Sequence, residues 1–246
     1  MGEAMSDHKT MFQQQKQFMV ACGQTDKPNL KQVDLYVDLI KEEFGELTDA
    51  WNAAAMAIGT PEFDAEAAIV ETVDGIIDTM VVLYGTLVSM GEDGDIHWNF
   101  IMGDPEARSI FQQISEITSN PIELSGVEAN ECLESLTVWI NAVYAEWESI
   151  RNLVQDYENG EGWKESGPMV LCIINAIANA VDMLNSLGIN GQMAWDEVLS
   201  SNMTKLDPET GKAIHREDGK ILKPESFRPV DLLRVVKSSY GIEEAA

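Results

Sequence analysis

Two runs of acids could do chemistry in this chain. Glu42, Glu43 and Glu46 stand in DLIKEEFGELTDAW, and Glu71, Asp74 and Asp78 in ETVDGIIDTMVVLYG. At ~100° per residue each trio falls on one face of a helix. A lone EExxE is more often a solvated acidic face. Here, however, Asp78 runs into Thr-Met-Val-Val-Leu-Tyr, and Asp74 and Asp78 flank Ile-Ile. Carboxylates set among apolar side chains repel one another and lose hydration, so a cluster of them calls for a cation. With oxygen ligands and no nearby His or Cys, the cation expected is hard, Mg²⁺ or Mn²⁺. The residues expected to hold it are Glu43, Glu46, Asp74, Asp78 and Glu71.

The elements that must position these acids are helices. The first spans about 30–58 and stops at Gly59-Thr60-Pro61; its partner runs from about 65 to 90 and is closed by Gly91. Upstream, 5–22 reads as a helix ended by Gly23. Downstream come a short helical piece at 96–102, a helix from Asp104-Pro105 to about 118, one long helix over 128–158, another over 168–187 and a last one over 193–201. Loops of a few residues join them, which predicts an all-α helical bundle. The tail differs: Ile214 to Leu222, with Asp218-Gly219 at its centre, predicts a short C-terminal hairpin.

The formal charge of −26 argues against nucleic-acid or anionic-membrane partners. Of sixteen basic residues, eight lie from Lys205 to Lys237, while only Arg108, Arg151 and Lys164 fall between Glu42 and Thr204. Cations gathered in the tail of so acidic a chain suit a small anion. Three scattered cysteines without framework spacing, and no apolar run nearing the ~20 residues of a membrane span, predict a cytoplasmic protein.

An internal repeat is visible. LVSMGEDGDIHW matches LNSLGINGQMAW at an offset of 188 − 91 = 97, placing Gly91 on Gly188, Gly94 on Gly191 and Trp98 on Trp195. The same offset puts Glu42, Glu43, Glu46, Glu71, Asp74 and Asp78 on Trp139, Ile140, Val143, Pro168, Leu171 and Asn175. An internal duplication forming a pseudo-dimeric four-helix core is therefore expected, with acids in the first copy only.

With these residues in view, the chain resembles the all-α nucleoside triphosphate pyrophosphohydrolases, the MazG-like and phosphoribosyl-ATP pyrophosphohydrolase-like group of phage or bacterial type. Glu42-Glu43-Phe-Gly-Glu46 matches its EExxE; Glu71-Thr-Val-Asp74 fits the ExxD that follows, and Asp78 stands like its metal-binding aspartate. The tail segments SNMTKL and REDGKILK match too, with Leu199-Ser200 where relatives have His-Arg. The likeness covers 33–91 and 193–233. It implies a single domain over 1–246, with a catalytic repeat at 28–103, a degenerate repeat at 125–201 and a substrate-closing tail at 202–246. It implies Mg²⁺-dependent hydrolysis of a nucleoside triphosphate to a monophosphate and pyrophosphate, with symmetric dimers usual. Glu42 or Glu46 would be the general base. Ser201, Asn202, Lys205, Arg216, Lys220 and Lys223 would bind substrate. The base is open between dCTP, dUTP, dGTP and a damaged or modified nucleotide, with Trp51 and Trp98 as stacking candidates. The competing reading is a nucleotide- or metal-binding regulator on the same fold.

Overall fold

The computed structural model describes residues 9–60, 63–103, 126–161, 166–215 and 221–242. In chain order its helices are α1 (Met11–Ala21), α2 (Leu30–Ala57), α3 (Ala65–Ser89), α4 (Gly94–Gly103), α5 (Gly126–Ala145), α6 (Trp147–Glu158), α7 (Gly167–Ser186), α8 (Gly191–Met203) and α9 (Leu232–Ser239). The expected helix over 104–118 lies outside the described residues.

Side-chain caps start the helices that matter for the site. Asn29 accepts from the Gln32 N–H to open α2, and Asp64 accepts from the Ala67 N–H to open α3, each at 3.0 Å. Asn190 opens α8 in the same way. The helices α2 and α3 pack antiparallel and close, because two glycines of α3 leave room for α2. A Cβ on Gly75 would stand 2.9 Å from the Leu47 Cα, and one on Gly85 would run into the Tyr36 ring. Between them Ile40, Leu47, Ile76, Ile77, Met80 and Leu83 are fully buried. Each contributes roughly 1.5–3 kcal/mol of transfer free energy.

A second pair, α5 with α7, packs against the first through α3 and α7. Those two occupy the centre, α7 and the second half of α3 being buried nearly all round, while α2 and α5 flank them with one apolar face each. At 20 residues and a mean hydropathy of 1.6, α7 is long and apolar enough to cross a membrane, contrary to the sequence expectation, but 72% of it is buried inside the bundle. Around this centre, α1 and α9 pack on α3 and α8, and α4 packs on α3 and α7.

The long helix expected over 128–158 is two helices. Glu146 interrupts it, and α6 turns away to lie on α2, burying Ile150 and Val154. Arg151 holds Asp34 at 2.7 Å and Glu158 accepts from the Leu30 N–H at 3.0 Å. The contacts with α2 compensate for the interrupted ladder. In the tail, the expected hairpin closes through the antiparallel bridge His215↔Ile221, with the Leu222 N–H donating to the Ile214 carbonyl at 2.7 Å. Its turn, 216–220, lies outside the described residues. Another loop precedes it, bridging Leu206 to Ala213, with Gly211 at φ +65°.

Candidate functional site

The six acids face one another across α2 and α3. Glu43, Asp74 and Asp78 are half-buried, while Glu42, Glu46 and Glu71 are exposed at the rim, so the face is less buried than the sequence suggested. Gly75 sets their spacing, since it brings α3 against Leu47 one residue past Glu46.

Electrostatically the acids act as one group. Burial pushes the Glu43 carboxyl up to about 7, helped by Glu46, Glu42 and Asp74 and opposed by Lys205. Asp78 is also pushed up to about 7, by burial first, then by Asp74, Glu43 and Glu46, with Lys205 pulling the other way. Asp74 is raised by burial, Glu71 and Glu46. Glu42, Glu43, Glu46, Glu71 and Asp74 thus each raise another carboxyl of the group, across two helices. The donor set is oxygen only, as a hard divalent cation prefers. Among the described residues, no three acids, imidazoles or thiols stand close enough together to enclose an ion as the side chains lie.

The tail comes to this face within the same chain. A cleft of about 370 Å³ is lined by Asp74 and Asp78 on one side and by Asn202, Lys205, Lys223 and Phe227 on the other. Lys205 donates to the Asn202 side-chain oxygen at 2.7 Å. Burial lowers the Lys205 ammonium from its usual range, Lys223 adds to this, and Asp78 and Glu43 counter it. Lys223 lies 4.4 Å over the Phe227 ring. Ser201 lines the cleft too, but its hydroxyl donates to the Arg228 carbonyl at 2.8 Å, so it anchors the tail. Arg216 and Lys220 lie outside the described residues.

Sequence reasoning missed what holds the tail there. Glu197 on α8 is 5% exposed, accepting from Arg228 at 2.6 Å, Arg234 at 2.7 Å and the Asp231 N–H at 3.0 Å. Burial alone would raise its carboxyl; the three donors hold it below the usual range. Helix α9 was missed as well. Its signal was present: Asp231 as N-cap, then Leu232, Val235 and Val236 at helical spacing, all buried.

Comparison with models of protein families, with curated proteins and with solved structures finds no match to this chain.

Proposed function

We propose that this chain is a divalent-metal-dependent nucleoside triphosphate pyrophosphohydrolase of the all-α, MazG-like kind. The observation that carries the reading is one cleft that sets Asp74 and Asp78, coupled to the neighbouring Glu43 and Glu46, against Lys205 and Lys223. Acids alone fit a solvated face, and lysines alone fit a soluble tail. Facing each other at a cleft, they fit a polyanion with its counter-cation.

Glu43, Glu46, Asp74, Asp78 and Glu71 would hold Mg²⁺ or Mn²⁺. Bound there, the ion offsets the triphosphate charge and acidifies a water. Glu42 or Glu46, at the exposed rim, takes the proton of the attacking water. The water oxygen bonds to the α-phosphorus and the bond to the oxygen bridging toward the β-phosphorus breaks. Lys205, oriented by Asn202, and Lys223 hold the departing pyrophosphate; Arg216 and Lys220 belong to the same tail.

The bundle also supports reading the two helix pairs as an internal duplication with a pseudo-dimeric core. At the offset of 97, the last residue of α3 falls on that of α7, and the first of α4 on that of α8. Gly91 and Gly188 have φ of +73° and +68°, and the bond from Glu92 to Leu87 recurs from Ile189 to Leu184. α8 lies on α3 as α4 lies on α7. In the second copy, Ile140 and Val143 are fully buried where the first has Glu43 and Glu46, whereas Leu171 stays 44% exposed. One catalytic centre per chain follows.

The test is pyrophosphate release from a panel of nucleoside triphosphates with Mg²⁺. Turnover is expected in the wild type and a loss of at least ~100-fold in Asp78→Asn and ~10-fold or more in Lys205→Ala. Tight nucleotide binding with no turnover would favour the regulator instead.

A further inference from the structure

A second cavity lies beside the acids, lined by α2, α3 and the loop between them. An open cleft of about 570 Å³ is bordered by Glu46, Asp49 and Glu71. Through Ala54, Phe63 and Ala68, which line both, it continues into a more apolar groove of about 650 Å³. Trp51, Phe63 and Ile69 wall that groove on the α2–α3 side, and Asn130, Glu131 and Glu134 of α5 border it on the other. Trp51 follows Glu46 by five residues, roughly 7.5 Å along the helix axis and about 140° around it, so it leaves the acid face and lines the groove. The joined clefts give a nucleotide with its phosphates at the acids a path for its base to Trp51.

The polar groups of this groove have a definite sense. The Trp51 indole N–H donates to the Asn130 side-chain oxygen at 3.3 Å, and the Asn130 amide donates to Glu134 at 2.8 Å. These bonds use the indole donor and one of the two amide donors. The carboxylates of Glu131 and Glu134 leave acceptors in excess, and among the described residues no Lys or Arg borders the groove. Flat apolar walls suit a heteroaromatic ring. An excess of acceptors suits a ring edge with an exocyclic amino group. It disfavours uracil and thymine, whose edge sets two carbonyls about a single N–H.

Resting on the pyrophosphohydrolase reading, we infer that the Trp51–Asn130–Glu134 groove is the nucleobase subsite and that it selects amino-bearing bases, cytosine, adenine or guanine, over uracil and thymine. Its two walls come from different helix pairs, so the second pair supplies specificity while carrying no acid cluster. Trp51 stacks on the base; Glu134 accepts from the amino group and holds Asn130 in place.

Two measurements on the full-length protein test this. The first is kcat/KM with Mg²⁺ for dCTP, dATP, dGTP, dTTP and dUTP. At least one amino-bearing substrate should exceed both dTTP and dUTP by ~10-fold or more, and Glu134→Gln should shrink that ratio about tenfold, with its circular dichroism unchanged. The second is binding of the corresponding monophosphates without metal, read by tryptophan fluorescence. The preferred monophosphate should change the signal in the wild type and give little change in Trp51→Phe. If nothing is turned over but monophosphates bind with this preference, the hydrolase reading fails and the subsite stands. Equal kcat/KM for all five bases, or a fluorescence response unaltered in Trp51→Phe, overturns the subsite.

Discussion

Single carboxyls explain how this chain should respond to pH. Asp182 on α7 is 8% exposed, its Oδ2 has no hydrogen-bond partner among the described residues, and burial pushes its carboxyl up to about 6. Glu43 and Asp78 are raised further, to about 7. A carboxyl raised by folding binds its proton more tightly in the native state. Its stabilising contribution is full below the unfolded value near 4 and is lost as pH rises through the folded value. The metal-free protein should therefore lose stability between about pH 4.5 and 7.5. Asp182→Asn, which cannot ionise, should gain about 1–3 kcal/mol at pH 8 and nothing near pH 4. Urea unfolding at the two pH values checks this; an equal effect at both would contradict it. Asp78→Asn should likewise raise the metal-free Tm at pH 8 while, on the proposed function, removing turnover.

At the scale of elements, Glu197 and Gly75 carry most of the geometry. Glu197 ties α8 to Arg228, Asp231 and the start of α9, and so fixes the strap bearing Phe227 along the cleft. Both arginines are more than 40% exposed, so the clamp is screened by solvent. Glu197→Gln should cost only about 1–2 kcal/mol of stability but raise KM several-fold and open the segment after Thr204 to limited proteolysis. An unchanged digestion pattern would rule out the clamp. Deleting the tail from Asn202 onward would not be a clean test, because Leu232, Val235 and Val236 are part of the core. Gly75→Ala would push a Cβ against the Leu47 backbone between Asp74 and Asp78. It should cost about 1–3 kcal/mol and lower turnover beyond what its stability loss explains, as denaturant curves run beside rate assays would show. Much of this scale was legible in the sequence. The helix pairs, their Asn and Asp caps and the glycine stops are local signals, and α2 and α3 end within one residue of where their residue types placed them. The break at Glu146 was not legible, because it arises from α6 finding the surface of α2, a contact 117 residues apart in the Arg151–Asp34 pair. The buried state of Glu197 was hidden for the same reason: its partners are 31 and 37 residues downstream.

For the whole molecule, the account makes one chain do what two related subunits would share. The first helix pair supplies acids, the second a packed wall, and the tail that follows the second returns to the first. The lysine-rich tail was readable from charge distribution and its closing over the acids was expected from the resemblance, whereas which acids it meets, Asp74 and Asp78, required the fold. In the proposed reaction, water attacks the α-phosphorus of a nucleoside triphosphate held between those acids and Lys205. Turnover in ¹⁸O-enriched water with Mg²⁺ tests it most directly, with products resolved by mass spectrometry. The account predicts one ¹⁸O in the nucleoside monophosphate, none in pyrophosphate, and no labelled product from Asp78→Asn. Label in pyrophosphate or orthophosphate, or equal labelling of the monophosphate by Asp78→Asn, would contradict it.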